Sequence, residues 1–212
     1  MNITKFGHSC LLIEEGSTRI LVDPGIYSSG FEELKELDAM LITHKHADHC
    51  DVPSIKKVMA ANHGIPIFSN EDVRDVLQEV DIDVTPTEDH VPFEIKNISV
   101  KPYHILHAEI YEGVFAVPQN TAFVIAEKLF VTGDAVSGIP DEKIDILALP
   151  VVAPWGKLSE YLDFARAVKP RVVIPIHDAI GQPGFFAKHP AQLLPQFGID
   201  VVLLENGIST EL

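Results

Sequence analysis

Residues 39–49 read Ala-Met-Leu-Ile-Thr-His-Lys-His-Ala-Asp-His, a short apolar run that gives way at once to four candidate metal ligands. Ala39 to Thr43 is too short for a helix and predicts a buried strand. His44, His46, Asp48 and His49 then fall in the loop that follows it. At this chain's own His and Asp frequencies such a spacing would arise by chance roughly 0.002 times, and loops after buried strands are where rigid scaffolds carry chemistry. Four ligands in six residues are crowded for one tetrahedral site that keeps a position for water. Two metals fit the spacing better.

Working outward, residues 10–14 and 19–22 predict a strand pair turned at Glu15-Gly16-Ser17, ended by Asp23-Pro24-Gly25. Beyond the cluster, Asp51 with Pro53 starts a helix that stops at Asn62-His63-Gly64. A strand at 66–68 follows, and Asn70 caps a second helix carrying Val73, Val76, Leu77 and Val80. Strands return from Phe93 to His104, broken at Lys96-Asn97, and again at 121–126 and 129–132. The last third predicts a strand at 144–149, a helix at 159–168, a strand at 172–176, a short helix at 190–197 and a strand at 201–204. No linker or repeat interrupts the succession, so one domain over residues 1–212 is expected, with two sheets and helices outside.

The 212 residues are 46% hydrophobic and 22% charged, a globular composition. Thirty-one acidic against sixteen basic residues leave a net charge of −15, which makes nucleic acid an unfavourable partner. The same chain holds ten histidines. It has two cysteines, Cys10 and Cys50, read as small packed thiols. It lacks a secretory run and an apolar stretch of membrane-helix length, so a cytoplasmic protein with no membrane association is expected. Further candidate ligands stand where strands end: His104 after Val100-Lys-Pro-Tyr, Asp134 in Thr132-Gly-Asp, and His177 in Ile174-Pro-Ile-His. Strand ends converge on one face, so these residues can meet.

The pattern His44-x-His46-x-Asp48-His49, preceded by Asp23-Pro24 and followed by His104, Asp134 and His177, resembles the metallo-β-lactamase superfamily along nearly the whole chain. Phe6-Gly-His-Ser-Cys10 and Pro175-Ile-His177 are similar to its small stand-alone hydrolases of the ascorbate-phosphate lactonase-like group. The resemblance implies an α/β fold, the four-layer αββα sandwich of two mixed sheets with helices outside. It implies His44, His46 and His104 on a first metal, Asp48, His49 and His177 on a second, and Asp134 bridging them. His104 is preferred because Tyr103-His104 ends the apolar run, with His107 as the alternative if the strand continues. His8 is expected at substrate or at a metal's open position, and Asp23 behind a ligand, holding it by hydrogen bonds.

Two divalent ions would lower the pKa of a shared water and polarise the bond under attack, so hydrolysis of an ester, lactone or phosphoester of a small molecule is expected. Asp48 is the candidate proton shuttle and Asp134 the bridge. Nitrogen and carboxylate donors suit Zn first, with Mn or Fe as alternatives. The rival readings are a di-iron redox protein, a nucleic-acid processing hydrolase and a non-catalytic metal-binding protein. The first matches a His-x-Glu-x-Asp pattern, whereas position 46 here is His. Loops at 26–31, 108–120 and 181–189 are the expected pocket walls, with Lys157 and Lys188 as cations for an anionic substrate and Trp155 as a pocket aromatic or else a core or interface one. Homo-oligomerisation through sheet edges or loops stays open.

Overall fold

The computed structural model describes residues 1–182 and 184–212; Pro183, in the loop predicted at 181–189, lies outside the described residues. The first half of the chain forms β1 (Asn2–Lys5), β2 (Leu11–Glu15), β3 (Thr18–Val22), β4 (Ala39–Leu41), α1 (Val52–Ala61), β5 (Ile67–Ser69), α2 (Glu71–Gln78) and β6 (Thr85–Pro86). The second half forms β7 (Phe93–Ile95), β8 (Ile98–Leu106), β9 (Gln119–Ile125), β10 (Leu129–Val131), β11 (Ile146–Pro150), α3 (Leu158–Val168), β12 (Val172–Ile176), α4 (Lys188–Leu193), β13 (Asp200–Val201) and β14 (Ser209–Glu211). The strands make two seven-stranded sheets, ordered β14-β1-β2-β3-β4-β5-β6 and β13-β12-β11-β10-β9-β8-β7.

Most strands are apolar on successive residues, not alternate ones, because both faces of each sheet are covered. Leu11, Ile13, Ile20 and Val22 face the other sheet and meet Phe123, Ile125, Val131 and Ile174 in the central core. Their neighbours Leu12, Leu21 and Met40 point outward, onto Ile55, Val58, Val73 and Leu77 of α1 and α2. On the far side, Val124, Phe130, Leu147 and Val173 pack against Tyr161, Phe164 and Ala165 of α3. The order is helix, sheet, sheet, helix: the αββα sandwich. Local signals set the helix starts, since the Asp51 side chain accepts from the Ser54 N–H and the Asn70 side chain from the Val73 N–H.

The two sheets repeat one pairing scheme. From β14 to β6, and equally from β7 to β13, three antiparallel pairs are followed by three parallel ones. In this correspondence β1 matches β8, and β3 matches β10. The chain leaving β1 carries His8 and the chain leaving β8 carries His107. Asp23 follows β3, and Asp134 follows β10. Duplicated topology thus brings corresponding His and Asp residues to one edge of the sandwich.

Candidate metal centre

Residues 44–49 leave β4 and wrap back against the Asp23-Pro24-Gly25 turn, where the Ile26 N–H donates to the Ala47 carbonyl and the Asp51 N–H to that of Pro24. Position 25 must be glycine, because a Cβ there would lie 1.8 Å from the Asp48 carbonyl oxygen. Across the edge, the Asn120 amide oxygen accepts from the Asp134 N–H at 3.0 Å and fixes the start of the loop after β10. His8, Asp23 and His177 all have left-handed backbones, at φ 39°, 49° and 58°. Three strained non-glycine residues at one site mark a conformation that the surrounding structure imposes.

Two groups of donors result. His44, His46, His107 and Asp134 form one; His8, Asp48, His49 and His177 form the other, and the ligand atoms of each lie within 4.8 Å of one another. His44 Nε2 and His46 Nδ1 are 3.1 Å apart. Asp134 lies between the groups: its Oδ2 is 3.3 Å from His107 Nε2 and 3.0 Å from His177 Nε2, and its Oδ1 is 3.1 Å from His49 Nε2.

The reverse sides of these rings settle which atoms face inward. His49 Nδ1 donates to Asp23 Oδ2 at 2.7 Å, His177 Nδ1 to the Val152 carbonyl at 2.7 Å and His107 Nδ1 to the Ala108 carbonyl at 2.6 Å. The Thr43 hydroxyl gives its proton to Asp23 Oδ2, so its oxygen accepts from His44 Nδ1 at 3.1 Å. Each neutral ring therefore turns an Nε2 lone pair toward the Asp134 carboxylate. His49 Nε2, His107 Nε2, His177 Nε2 and Asp134 Oδ1 are buried with no hydrogen-bond partner. Nε2 atoms facing a carboxylate at about 3 Å need a cation among them, a proton on the ring in the metal-free protein or a metal ion in its place. The donor set fits divalent metal, with nitrogen and oxygen ligands and each histidine anchored from behind.

His8 differs. Its Nδ1 accepts from the Ala179 N–H at 3.3 Å, which places the proton of the neutral ring on Nε2, 3.2 Å from Asp48 Oδ2. In this tautomer His8 holds the Asp48 carboxylate and offers the centre no lone pair.

Electrostatics show the same strain. Burial alone would lower His49 and His177, but the Asp134 charge outweighs it, aided by Asp23 at His49 and by Asp48 at His177. His49 is driven well above its ordinary value and His177 to about 9. Burial and the neighbouring His49 hold His44 well below 6.5. His46 is lowered by burial and by His107, and His8 by burial that its bond to Asp48 only partly offsets. Burial opposes ionisation of Asp134, yet His49 and His177 keep its carboxyl far below the usual range; His177 and His8 do the same for Asp48.

Of the expected ligands, the structure brings together His44, His46, Asp48, His49, Asp134 and His177, and it corrects His104. β8 does not end at His104 but continues to Leu106, paired with β9 through Leu106↔Gln119. Strand alternation sends Tyr103 inward and His104 outward, where its ring meets Thr87 Oγ1 at 3.1 Å and its N–H donates to Asp89. His107, one residue past the strand, takes the place. Asp23 lies behind His49 as expected. The two cations do not reach the centre: Lys157 precedes α3 with its side chain 81% exposed beside Glu160, and Lys188 lies over the Phe185 ring. Trp155, read as a pocket, core or interface aromatic, donates its indole Nε1–H to Asp134 Oδ2 at 3.3 Å. Thr43 and Asn120 carried no sequence signal, because each acts through a backbone or hydroxyl contact that only the folded loops create.

A family model for the beta-lactamase superfamily domain matches residues 2–177. The chain is 37% identical over 188 residues to Protein Rv0786c of Mycobacterium tuberculosis, covering 86% of each chain. It is 26% identical over 192 residues to the UPF0173 metal-dependent hydrolase Ta0764 of Thermoplasma acidophilum, covering 84% of this chain and 83% of that one. Among solved structures, the metallo hydrolase Igni18 of Ignicoccus hospitalis superposes with a TM-score of 0.75 at 18% identity, covering 100% and 98% of the two chains. With the family model matched over residues 2–177, the sandwich and the histidine-rich edge, the chain belongs to the metallo-β-lactamase superfamily.

Proposed function

We propose that this protein is a metal-dependent hydrolase of small molecules, holding two divalent ions and cleaving an ester, lactone or phosphoester bond. The observation that carries this reading is the convergence of unpartnered Nε2 atoms from His49, His107 and His177 on Asp134. His44, His46 and His107 would hold one ion, Asp48, His49 and His177 the other, and Asp134 both. Zn, Mn and Fe all suit these donors. When bound, such ions make water nucleophilic at neutral pH and polarise the bond under attack.

The chain's own groups supply orientation and proton handling. Asp23, Thr43 and the Val152 and Ala108 carbonyls fix the rings from behind. Asp48 Oδ2, 3.2 Å from His8 Nε2 and 3.5 Å from His177 Nε2, would take a proton from the attacking water and return it to the leaving group. His8 keeps that oxygen aimed at the centre.

Elemental analysis of the purified protein, followed by a screen against esters, lactones, thioesters and phosphodiesters, tests the reading. About two equivalents of metal with turnover of one class is expected, and Asp134→Ala should lose both. A metal-replete, active Asp134→Ala protein would overturn it.

A further inference from the structure

Between β8 and β9 the chain folds over a cavity of about 290 Å³ that opens directly onto the centre, because His46 and His107 form its inner wall. Its outer walls are Ile110, Tyr111, Phe115 and Val117. Glu109 is its one acidic group, and no lysine or arginine lines it among the described residues. Tyr111 is 70% and Phe115 62% exposed, and Leu106, Ile110 and Val114 beside them are also more than half exposed. Exposed apolar side chains of this kind beside a polar, ligand-bearing wall are what an apolar ligand group would cover.

On the opposite flank, no free cation lines the cavity among the described residues. This cavity, of about 360 Å³, is bounded by His8, Tyr27, Lys5 and Asp178. Its lysine is already committed, since the buried Lys5 Nζ donates to the Pro175 carbonyl at 3.0 Å and to Asp178 Oδ1 at 2.7 Å. A phosphate or carboxylate on the substrate would meet Glu109 on one side and a neutralised pair on the other.

We propose that the cavity at residues 107–118 receives an uncharged, apolar limb of the substrate, an acyl chain or aromatic ring adjoining the scissile bond, and that the enzyme selects against substrates with a second anionic group. This inference rests on the hydrolase reading and narrows it. The metal-facing end of the substrate meets His46 and His107, and its apolar end lies between Tyr111 and Phe115. Selectivity then comes from apolar area removed from water and from the cost of an unpaired charge beside Glu109.

Straight-chain alkanoyl hydroxamates of two to eight carbons, with the monohydroxamate of succinic acid as the charged control, test this on the metal-loaded protein. Binding is read by calorimetry. Affinity is expected to rise about fourfold for each methylene added until the cavity is filled. The succinyl compound should bind at least tenfold more weakly than its uncharged counterpart of equal length. Phe115→Asp, at an exposed position where folding is checked by thermal melting, should weaken octanoyl binding far more than acetyl binding. A flat or falling series, or preference for the succinyl compound, overturns the proposal while leaving the hydrolase reading intact. Failure of every hydroxamate to bind protein that retains its metal overturns both.

Discussion

Asp23 Oδ2 lies 2.7 Å from His49 Nδ1, and both side chains are wholly buried. The same carboxylate accepts from the Thr43 N–H and hydroxyl, so one residue at the end of β3 orients both the loop after β4 and a ring within it. Asp23→Asn is the informative substitution, because Asn tolerates the left-handed φ of 49° and keeps an oxygen for Thr43. Its amide would donate to His49 Nδ1, moving the ring proton to Nε2 and abolishing the inward lone pair. Metal affinity is expected to fall about 10- to 100-fold with the fold intact. Zinc titration of the two proteins checks this, and equal affinities would refute the assigned tautomer.

His104 and His107 make a matched pair of tests, three residues apart on opposite faces of one extended segment. His107→Ala removes a buried ring whose Nε2 is 3.3 Å from Asp134 Oδ2 and should cost one equivalent of metal and most activity. His104→Ala removes an exposed ring bonded to Thr87 and should change stability by no more than about 1 kcal/mol, with full metal content. Metal analysis beside a thermal melt separates them.

That pair also shows what could be read from sequence. The cluster at 44–49 is a local signal, since spacing alone puts its ligands in one loop after a buried strand. The two-sheet sandwich was legible from the succession of elements, strands and then helix and strand alternating, twice over; that both faces of each strand are covered shows in continuous apolar runs, as in Leu11–Ile13 and Ile20–Val22. The end of β8 is not local. It is set by pairing with β9, where Ile105 faces Asn120 and Leu106 faces Gln119, so apolarity that seems to stop at Tyr103 misplaces the edge. β14, Ser209-Thr-Glu, has no apolar pattern and exists through its register with Asn2 to Thr4, two hundred residues away in the chain. Lys157, expected as a pocket cation, lies exposed at the start of α3, whose N-terminal turn it shares with Glu160.

The metal-free protein should be most stable near pH 6.5. His177, raised to about 9, and His49, raised well above its ordinary value, each bind a proton more tightly when folded. Their contribution is fully present below the unfolded value near 6.5 and is lost as pH rises through about 9, on the order of 3 kcal/mol for His177 alone. His8, His44 and His46 are depressed, so their contribution holds above 6.5 and is lost as pH falls through their folded values. Metal replaces the protons on His49 and His177, so the loaded protein should lose the alkaline decline. Melting curves from pH 5 to 10 with and without chelator would show this, and parallel profiles would count against a metal among these rings.

Trp155 is the sole tryptophan, and its indole donates to Asp134 Oδ2, the oxygen that also lies nearest His107 and His177. Its ring centroid is 5.9 Å from both those histidines, so any ion held between the two donor groups changes the polarity around the indole. Intrinsic fluorescence should therefore shift on titration with zinc and reach a plateau at about two equivalents. Trp155→Phe keeps the aromatic contact with Tyr161 but leaves one carboxylate oxygen without its donor. The expected loss is about 1–2 kcal/mol in metal binding, near tenfold in affinity, with little change in melting temperature of the metal-free protein. Unaltered affinity in Trp155→Phe would mean that the indole only packs against the centre and does not hold its carboxylate.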